Sequence, residues 1–457
     1  MNTFTDTIAA ISTANGPGGI GVIRISGSES LKIADKIFKS VSNKKVCEMK
    51  GYTASYGSIY DGDEKIDEVV LTVFRLPHSY TGENVVEISC HGGMYVTKQV
   101  LRTVINNGAV PAKAGEFTQR AFLNGKMDLS EAEAVMDIIS AKGKTEARAA
   151  LACREGKISK EIFKINSLLV NSAAHLSAWA DYPEEDIPQV EDENLKKDLL
   201  SAKEMINNLL KNYDAGMVLK RGVDTIIVGK PNVGKSTLMN QLTGYEKSIV
   251  TNIPGTTRDI IEETVVLGDV TLNLSDTAGL RETDNLVEKI GVERARKKIE
   301  TSGLILAVFD ATESLNDEDI NLLKNIKGLP AVAIINKTDC DGIIDINFIK
   351  TQVENIVFIS AKSGEGVEDL VRIIEKITGT TNFDPSVATL ATERQRDCAV
   401  RALNALDEAI NSIELGFTLD ATTVSIEDAI QSILEITGER ASEVVVDSVF
   451  KHFCVGK

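Results

Sequence analysis

Apolar and polar positions alternate in short runs through the first 125 residues, with glycine-rich turns between the runs. Residues 21–26, 68–76 and 84–89 read as strands on that period of two, separated by helical stretches. A mixed α+β domain is expected over 1–125. From 126 to 220 the period lengthens to that of an amphipathic, alanine-rich helix. Ser130 and Glu133 fit an S-x-x-E capping box at its start. An acidic, proline-containing break covers 181–193, and 194–213 is helical again. At 220–223 the period changes once more. Residues 224–228 form a short apolar run, and strand–helix alternation continues to about 376. Residues 378–386 carry Gly, Thr, Asn and Pro and read as a linker. From 393 to the end the pattern is helical.

An α/β unit over 221–378 therefore separates two helical stretches, 126–220 and 379–457. One helical domain interrupted by an inserted α/β domain is the economical reading, because the last 70 or so residues alone make a thin core.

A length of 457 residues fits about three domains of roughly 150 residues each. The formal net charge of −17 argues against general affinity for nucleic acid or anionic membrane, though one face can still be basic. Aromatics are 5% with a single tryptophan, Trp179, so base stacking is not the main binding device. Cys47, Cys90, Cys153, Cys340, Cys398 and Cys454 form no C-x-x-C pair. They predict neither zinc ribbon nor disulfide framework, and they fit a reducing, cytoplasmic setting. No signal peptide and no uninterrupted apolar run of about 18 residues is visible.

Candidate chemistry is concentrated after residue 228. Gly229-Lys230-Pro231-Asn232-Val233-Gly234-Lys235-Ser236 matches G-x-x-x-x-G-K-[ST], with a strand before it and a helix from Thr237 after it. Such a loop wraps phosphates with backbone N–H groups at a helix N-terminus. Lys235 is expected to neutralise the β- and γ-phosphates, and Ser236 to present its hydroxyl to Mg²⁺. Thr251-Asn252-Ile253-Pro254-Gly255-Thr256-Thr257 occupies the place of a mobile switch. Asp276-Thr277-Ala278-Gly279 ends the run 270–275, where Asp276 would reach Mg²⁺ through water. Asn336-Lys337-Thr338-Asp339 follows the apolar run 331–335. The Asp339 carboxylate can accept from N1–H and N2–H₂ of guanine, a donor pair that adenine lacks. Ser360-Ala361-Lys362 suits a backbone donor to guanine O6. Each element alone is weak. In this order on strand ends they predict a Ras-like, GTP-hydrolysing P-loop domain with a mostly parallel sheet.

Leu280 follows D-T-A-G, where Ras-like enzymes place a water-orienting glutamine. At this point the sequence resembles the MnmE (TrmE) family of tRNA-modification GTPases, through G-K-P-N-V-G-K-S, G-T-T-R-D and D-T-A-G-L-R. The resemblance implies a K⁺ ion held by Asn232, Thr251, Ile253 and Thr256, with Thr257 as the Mg²⁺ threonine. It also implies that Glu288 is catalytic. Physically, a fixed monovalent cation can supply the missing charge, and a carboxylate can hold a water. By itself Glu288 reads equally well as a solvated acid at a helix start.

The resemblance spans essentially the whole chain. Gly16-Pro17-Gly18-Gly19-Ile20-Gly21 fits G-x-G-x-x-G, but a strand follows instead of a helix, so it reads as a turn and not a dinucleotide site. Residues 18–27, His91-Gly92-Gly93 and 115–126 look like N-terminal signatures of the same family. That domain resembles folate-binding one-carbon domains. The carried-over folate contacts are Arg24, Glu87, Lys126 and Lys457, for 5-formyl- or methylene-tetrahydrofolate. Arg and Lys suit glutamate-tail carboxylates. Cys454-Val455-Gly456-Lys457 is similar to the family's C-[IL]-G-K terminus, which makes Cys454 a candidate for proton transfer or nucleophilic attack; a free terminal thiol is the bland reading. His78, His91, His175 and His452 show no ligand spacing.

The resemblance further implies a homodimer joined through the N-terminal domain. It implies a complex with the FAD-dependent MnmG (GidA) protein that installs an aminomethyl-type group at C5 of the tRNA wobble uridine. A ribosome-assembly or stress GTPase acting as a binding switch shares every nucleotide motif. It has no need of residues 1–125 or the Cys454 terminus.

Overall fold

The computed structural model describes residues 6–14, 16–181, 192–245, 262–275, 299, 301–381, 383–415 and 419–456. The chain forms two compact units. The first comprises Met1–Met136, Ser159–Leu199 and Cys398–Lys457; the second comprises Asp137–Ile158 and Leu200–Asp397. The chain thus leaves the first unit and returns to it twice, and residues 137–158 and 200–220 of the first helical stretch group with the second unit.

The first unit begins with β1 (Ile8–Ile11), β2 (Ile20–Ser26), α1 (Ser30–Ile37), β3 (Phe38–Ser40), β4 (Thr53–Asp61), β5 (Glu64–Phe74), β6 (Val85–His91), α2 (Met94–Asn106) and β7 (Val110–Pro111). They make a seven-stranded sheet in the order β3-β4-β5-β6-β2-β1-β7, antiparallel except at β1–β7. The turn at 16–19 leads into β2, as its sequence indicates. Alternation decides the faces. Ile23, Ile25, Leu71, Val86 and Ile88 are buried with Ile33, Ala34, Val100 and Val104 of α1 and α2. Arg24 and Glu87, register partners on β2 and β6, take the other face. Tyr56 and Val70, register partners on β4 and β5, are 53% and 43% exposed.

Next come α3 (Glu116–Leu123) and α4 (Leu129–Ser140). Arg120, 1% exposed, donates to Glu116 Oε1 (2.8 Å), Glu83 Oε1 (3.1 Å) and the Asp6 carbonyl (2.9 Å). The start of α4 corrects one expectation. The capping box is Asp128 with Glu131, not Ser130 with Glu133. Glu131 N–H donates to Asp128 Oδ1 at 2.9 Å, and Asp128 N–H donates to Glu131 Oε2 at 3.3 Å. Ser130 Oγ also donates to Asp128 Oδ1 (2.7 Å), two positions inside the cap.

Along the chain follow α5 (Lys144–Arg154), α6 (Lys157–Asp181), α7 (Asp192–Lys211) and α8 (Tyr213–Arg221). The second unit then builds its sheet from β8 (Val223–Val228), α9 (Lys235–Tyr245), β9 (Glu262–Leu267), β10 (Val270–Ser275), β11 (Leu304–Asp310), α10 (Asp317–Ile326), β12 (Ala331–Asn336), α11 (Ile346–Gln352), β13 (Asn355–Phe358) and α12 (Val367–Ile377). The strand order is β13-β12-β11-β8-β10-β9, parallel except for the β9–β10 hairpin. β11 and β12 are buried at every position, as a parallel strand covered on both faces must be.

The last helices are α13 (Glu393–Glu414), α14 (Leu419–Thr437) and α15 (Glu443–Phe450). Val446, Phe450 and Phe453 pack with Leu129 and Phe122, which returns the C-terminus to the first unit. Among the described residues no helix is long and apolar enough to cross a membrane.

Candidate functional site

Parallel strands deliver their following loops to one edge of the sheet, and the described nucleotide motifs all follow such strands. Residues 229–234 link β8 to α9; the base motif follows β12, and Ser360-Ala361-Lys362 follows β13.

The phosphate loop needs its glycines. Gly229 has φ +147°, and a Cβ there would lie 2.3 Å from the Val308 carbonyl. Gly234 has φ +99°, and its Cβ would lie 2.2 Å from Asn336 Nδ2. Asn232 takes φ +65° without being glycine. Lys235, at the start of α9, donates from Nζ to the carbonyls of Gly229 (2.7 Å) and Lys230 (2.5 Å). The ammonium is thereby tied to the loop that wraps phosphate. Ser236 and Thr237 lie in the first turn of α9.

Asn336 joins three motifs. Its Nδ2 donates to the Val233 carbonyl at 2.8 Å, and the Ala361 N–H donates to its Oδ1 at 2.9 Å. The side chain is buried, at 3% exposure, so both bonds are shielded from water. Asp339 is exposed, and its Oδ1 accepts from Ser360 Oγ at 2.9 Å, which orients the carboxylate. Lys337 has φ +67° and pairs with Asp310 at the end of β11. Burial pushes the Asp310 carboxyl up, but Lys337 and two hydrogen bonds from Thr312 outweigh it and hold the group below its ordinary value.

Two features of this site carry no sequence motif. One is the Asp310–Lys337 pair. The other joins Lys230 to Asp319 Oδ2 at 2.8 Å and to Glu313 Oε2 at 3.4 Å. The hydrogen bond with Asp319 raises the Lys230 pKa against burial. The only available signal was indirect: Asn316 and Asp319 are spaced as a capping box, and they form one.

Thr251, Asn252, Ile253, Pro254, Gly255, Thr256, Thr257, Asp276, Thr277, Ala278, Gly279, Leu280, Glu288 and Lys457 lie outside the described residues.

In the first unit, Arg24 pairs with Glu87, with Nε and one terminal nitrogen each 2.9 Å from Oε1. Its guanidinium lies 5.4 Å from the Tyr80 ring centroid and 5.6 Å from that of Phe117. The chain end docks here. Val455 bridges Ala114, Ser12 Oγ donates to the Gly456 carbonyl at 3.1 Å, and Arg24 reaches the same carbonyl at 3.5 Å. Cys454 is exposed, and its carbonyl accepts from Gly115 N–H at 3.4 Å. Lys126 donates to the Pro77 carbonyl at 3.1 Å. His91 is held by Asp67, with Nδ1 2.7 Å from Oδ1.

A G-x-x-x-x-G-K-S loop, an N-K-x-D loop and the buried Asn336 clamp between them, on one edge of a mostly parallel sheet, define a P-loop GTPase. Models of the MnmE helical domain and of the GTP-binding protein TrmE N-terminus match residues 129–454 and 7–126. The chain belongs to the MnmE family of tRNA modification GTPases. Proteins of that name from Clostridioides difficile (strain 630) and Alkaliphilus metalliredigens (strain QYMF) are each 41% identical to it, over 99% of both chains. One from Caldicellulosiruptor saccharolyticus is 40% identical over the same shares. Among solved structures, the G domain of T. maritima FeoB is 28% identical, covering 34% of this chain and 98% of its own at a TM-score of 0.26. An Aquifex aeolicus Era variant bound to GDP and AlF4⁻ is 29% identical, covering 40% and 66% at 0.27.

Proposed function

We propose that this chain is a potassium-activated GTPase of the cytoplasm that modifies the wobble uridine of certain tRNAs. With an FAD-dependent, MnmG (GidA)-like partner it adds an aminomethyl or carboxymethylaminomethyl group at C5. The observation that carries the reading is the docking of the C-terminal tail at Gly456 beside Arg24. A free-standing GTP switch in ribosome assembly or stress has no use for that arrangement.

The roles follow from donor chemistry. Lys235 neutralises the β- and γ-phosphates, while the Ser236 and Thr257 hydroxyls would hold Mg²⁺. Asn232, Thr251, Ile253 and Thr256 offer neutral amide, hydroxyl and carbonyl oxygens, a donor set that suits K⁺ and not a soft metal. When bound, K⁺ supplies fixed positive charge to the phosphoryl transition state. Glu288 orients the attacking water in place of the glutamine that Leu280 replaces.

Arg24, Lys126 and Lys457 suit the carboxylates of a reduced folate, and half-buried Tyr80 beside Arg24 offers flat apolar surface to its ring. Folate supplies the one-carbon unit; the Cys454 thiol would move a proton or attack. Exposed Tyr56 and Val70 on the open sheet face support a homodimer through this domain.

The test is mass spectrometry of wobble-uridine nucleosides from cells lacking this protein. Loss of the C5 modification is expected. An unchanged nucleoside set favours the ribosome-assembly reading.

A further inference from the structure

We infer that Asp319 is a positioning residue for GTP hydrolysis, acting on the phosphate loop through Lys230. The inference rests on GTP hydrolysis at this loop.

Lys230 is the first variable residue of G-x-x-x-x-G-K-S, and its two ends do different things. Its carbonyl accepts from Lys235 Nζ at 2.5 Å. Its ammonium reaches Asp319 Oδ2 at 2.8 Å. The side chains are 13% and 4% exposed, so this is a buried ion pair, while the second carboxylate, Glu313, is 62% exposed at 3.4 Å. The Lys230 charge is thus matched by carboxylates of α10 and the loop before it. The peptide unit that holds the phosphate-binding lysine is anchored to the first turn of α10.

Asp319 is itself fixed. Its N–H donates to Asn316 Oδ1 (3.0 Å), and its Oδ2 accepts from Asn316 N–H (3.1 Å). Its Oδ1 is buried with no hydrogen-bond partner among the described residues. A carboxylate with an unfilled buried oxygen is costly. An asparagine could accept the same capping bond at that position without a buried charge. What the carboxylate adds is the pair with Lys230. A series Asp319–Lys230–Lys235 follows, in which α10 sets where the Lys235 ammonium meets the β- and γ-phosphates. A displacement of about 1 Å at such a group can cost up to roughly a hundredfold in rate.

The experiment measures single-turnover GTP hydrolysis and GDP affinity for the full chain carrying Asp319→Asn, Lys230→Met, both, or Lys230→Arg, with a thermal melt of each. Asp319→Asn and Lys230→Met are each expected to slow hydrolysis about tenfold while GDP affinity stays within about threefold. The double variant is expected to be no slower than either single, since both break one interaction. Lys230→Arg is expected to recover to within about threefold. Three results overturn the inference: wild-type hydrolysis by Asp319→Asn, defects that multiply in the double variant, or equal losses in hydrolysis and GDP affinity. If Asp319→Asn does not fold, Lys230→Met against Lys230→Arg decides, because both leave the capping residues Asn316 and Asp319 in place. The unaltered chain in the same assay tests GTP hydrolysis separately: without turnover there, the GTPase reading fails and not the positioning role.

Discussion

Asn336 donates its side-chain amide to the Val233 carbonyl at 2.8 Å, which binds the base-reading loop to the phosphate loop. Its other side-chain atom accepts from Ala361 N–H. Asn336→Ala strips partners from a buried carbonyl and a buried N–H, at about 1–3 kcal/mol each. The expected outcome is a loss of at least tenfold in GTP affinity, read by titration with a fluorescent GTP analogue. Gly234→Ala is expected to abolish binding, because its Cβ would lie 2.2 Å from that same amide and its φ is +99°.

Asp339 is expected to set the base. Its carboxylate is oriented by Ser360 and presents acceptors to a base with two adjacent donors. Asp339→Asn replaces one acceptor by a donor. GTP affinity is expected to fall by more than a hundredfold, and xanthosine triphosphate, which carries an oxygen at C2, to bind better than GTP. Competition between the two nucleotides measures the change.

Leu280 motivates the expected potassium dependence. With no glutamine after D-T-A-G, hydrolysis is expected to run about tenfold faster in K⁺ than in Na⁺ at equal ionic strength. Glu288→Ala is expected to slow hydrolysis while leaving GDP affinity unchanged. Rates indifferent to the cation would sink the potassium reading.

The strands that carry nucleotide motifs were legible because each is a short apolar run ending at a motif. β8, β10 and β12 fall where residues 224–228, 270–275 and 331–335 put them. What failed was choice among neighbours. Asp128/Glu131 and Ser130/Glu133 both fit a capping box, two residues apart. In the fold Asp128 also accepts from Ser159 Oγ, a long-range contact that local sequence does not encode. The pair of Lys230 with Asp319 was illegible for the same reason: two charges far apart in sequence meet only once β11 lies beside β8. Periodicity marks 144–154 as helix but not what it touches. In the fold Thr145 Oγ1 donates to Asp269 Oδ1 in the β9–β10 turn at 2.6 Å, inside the second unit.

Asp310 gives a pH dependence. Its folded-state pKa is held below the ordinary value, so the unfolded chain binds the proton more readily. Its contribution to stability is present above the unfolded pKa, near 4, and is lost as pH falls through the folded value. Asp310→Asn is expected to be less stable than the unaltered chain at pH 7. The difference should shrink steadily below about pH 4 in thermal melts.

Thiol reactivity separates a buried cysteine from the exposed terminal one. Burial, aided by the Asp67 carboxylate, pushes the Cys90 thiol up to about 11, so the neutral, unreactive form prevails at pH 8. Cys90 is also 3% exposed, which bars access by the reagent. Cys454 is exposed at the docked chain end. Brief iodoacetamide treatment of the native chain is expected to label Cys454 well before Cys90, resolved by peptide mass spectrometry, and urea should remove the difference. If Cys454 takes part in the one-carbon step, labelling it abolishes tRNA modification in a reconstituted assay while GTP hydrolysis continues. If modification survives complete labelling, its thiol has no chemical role.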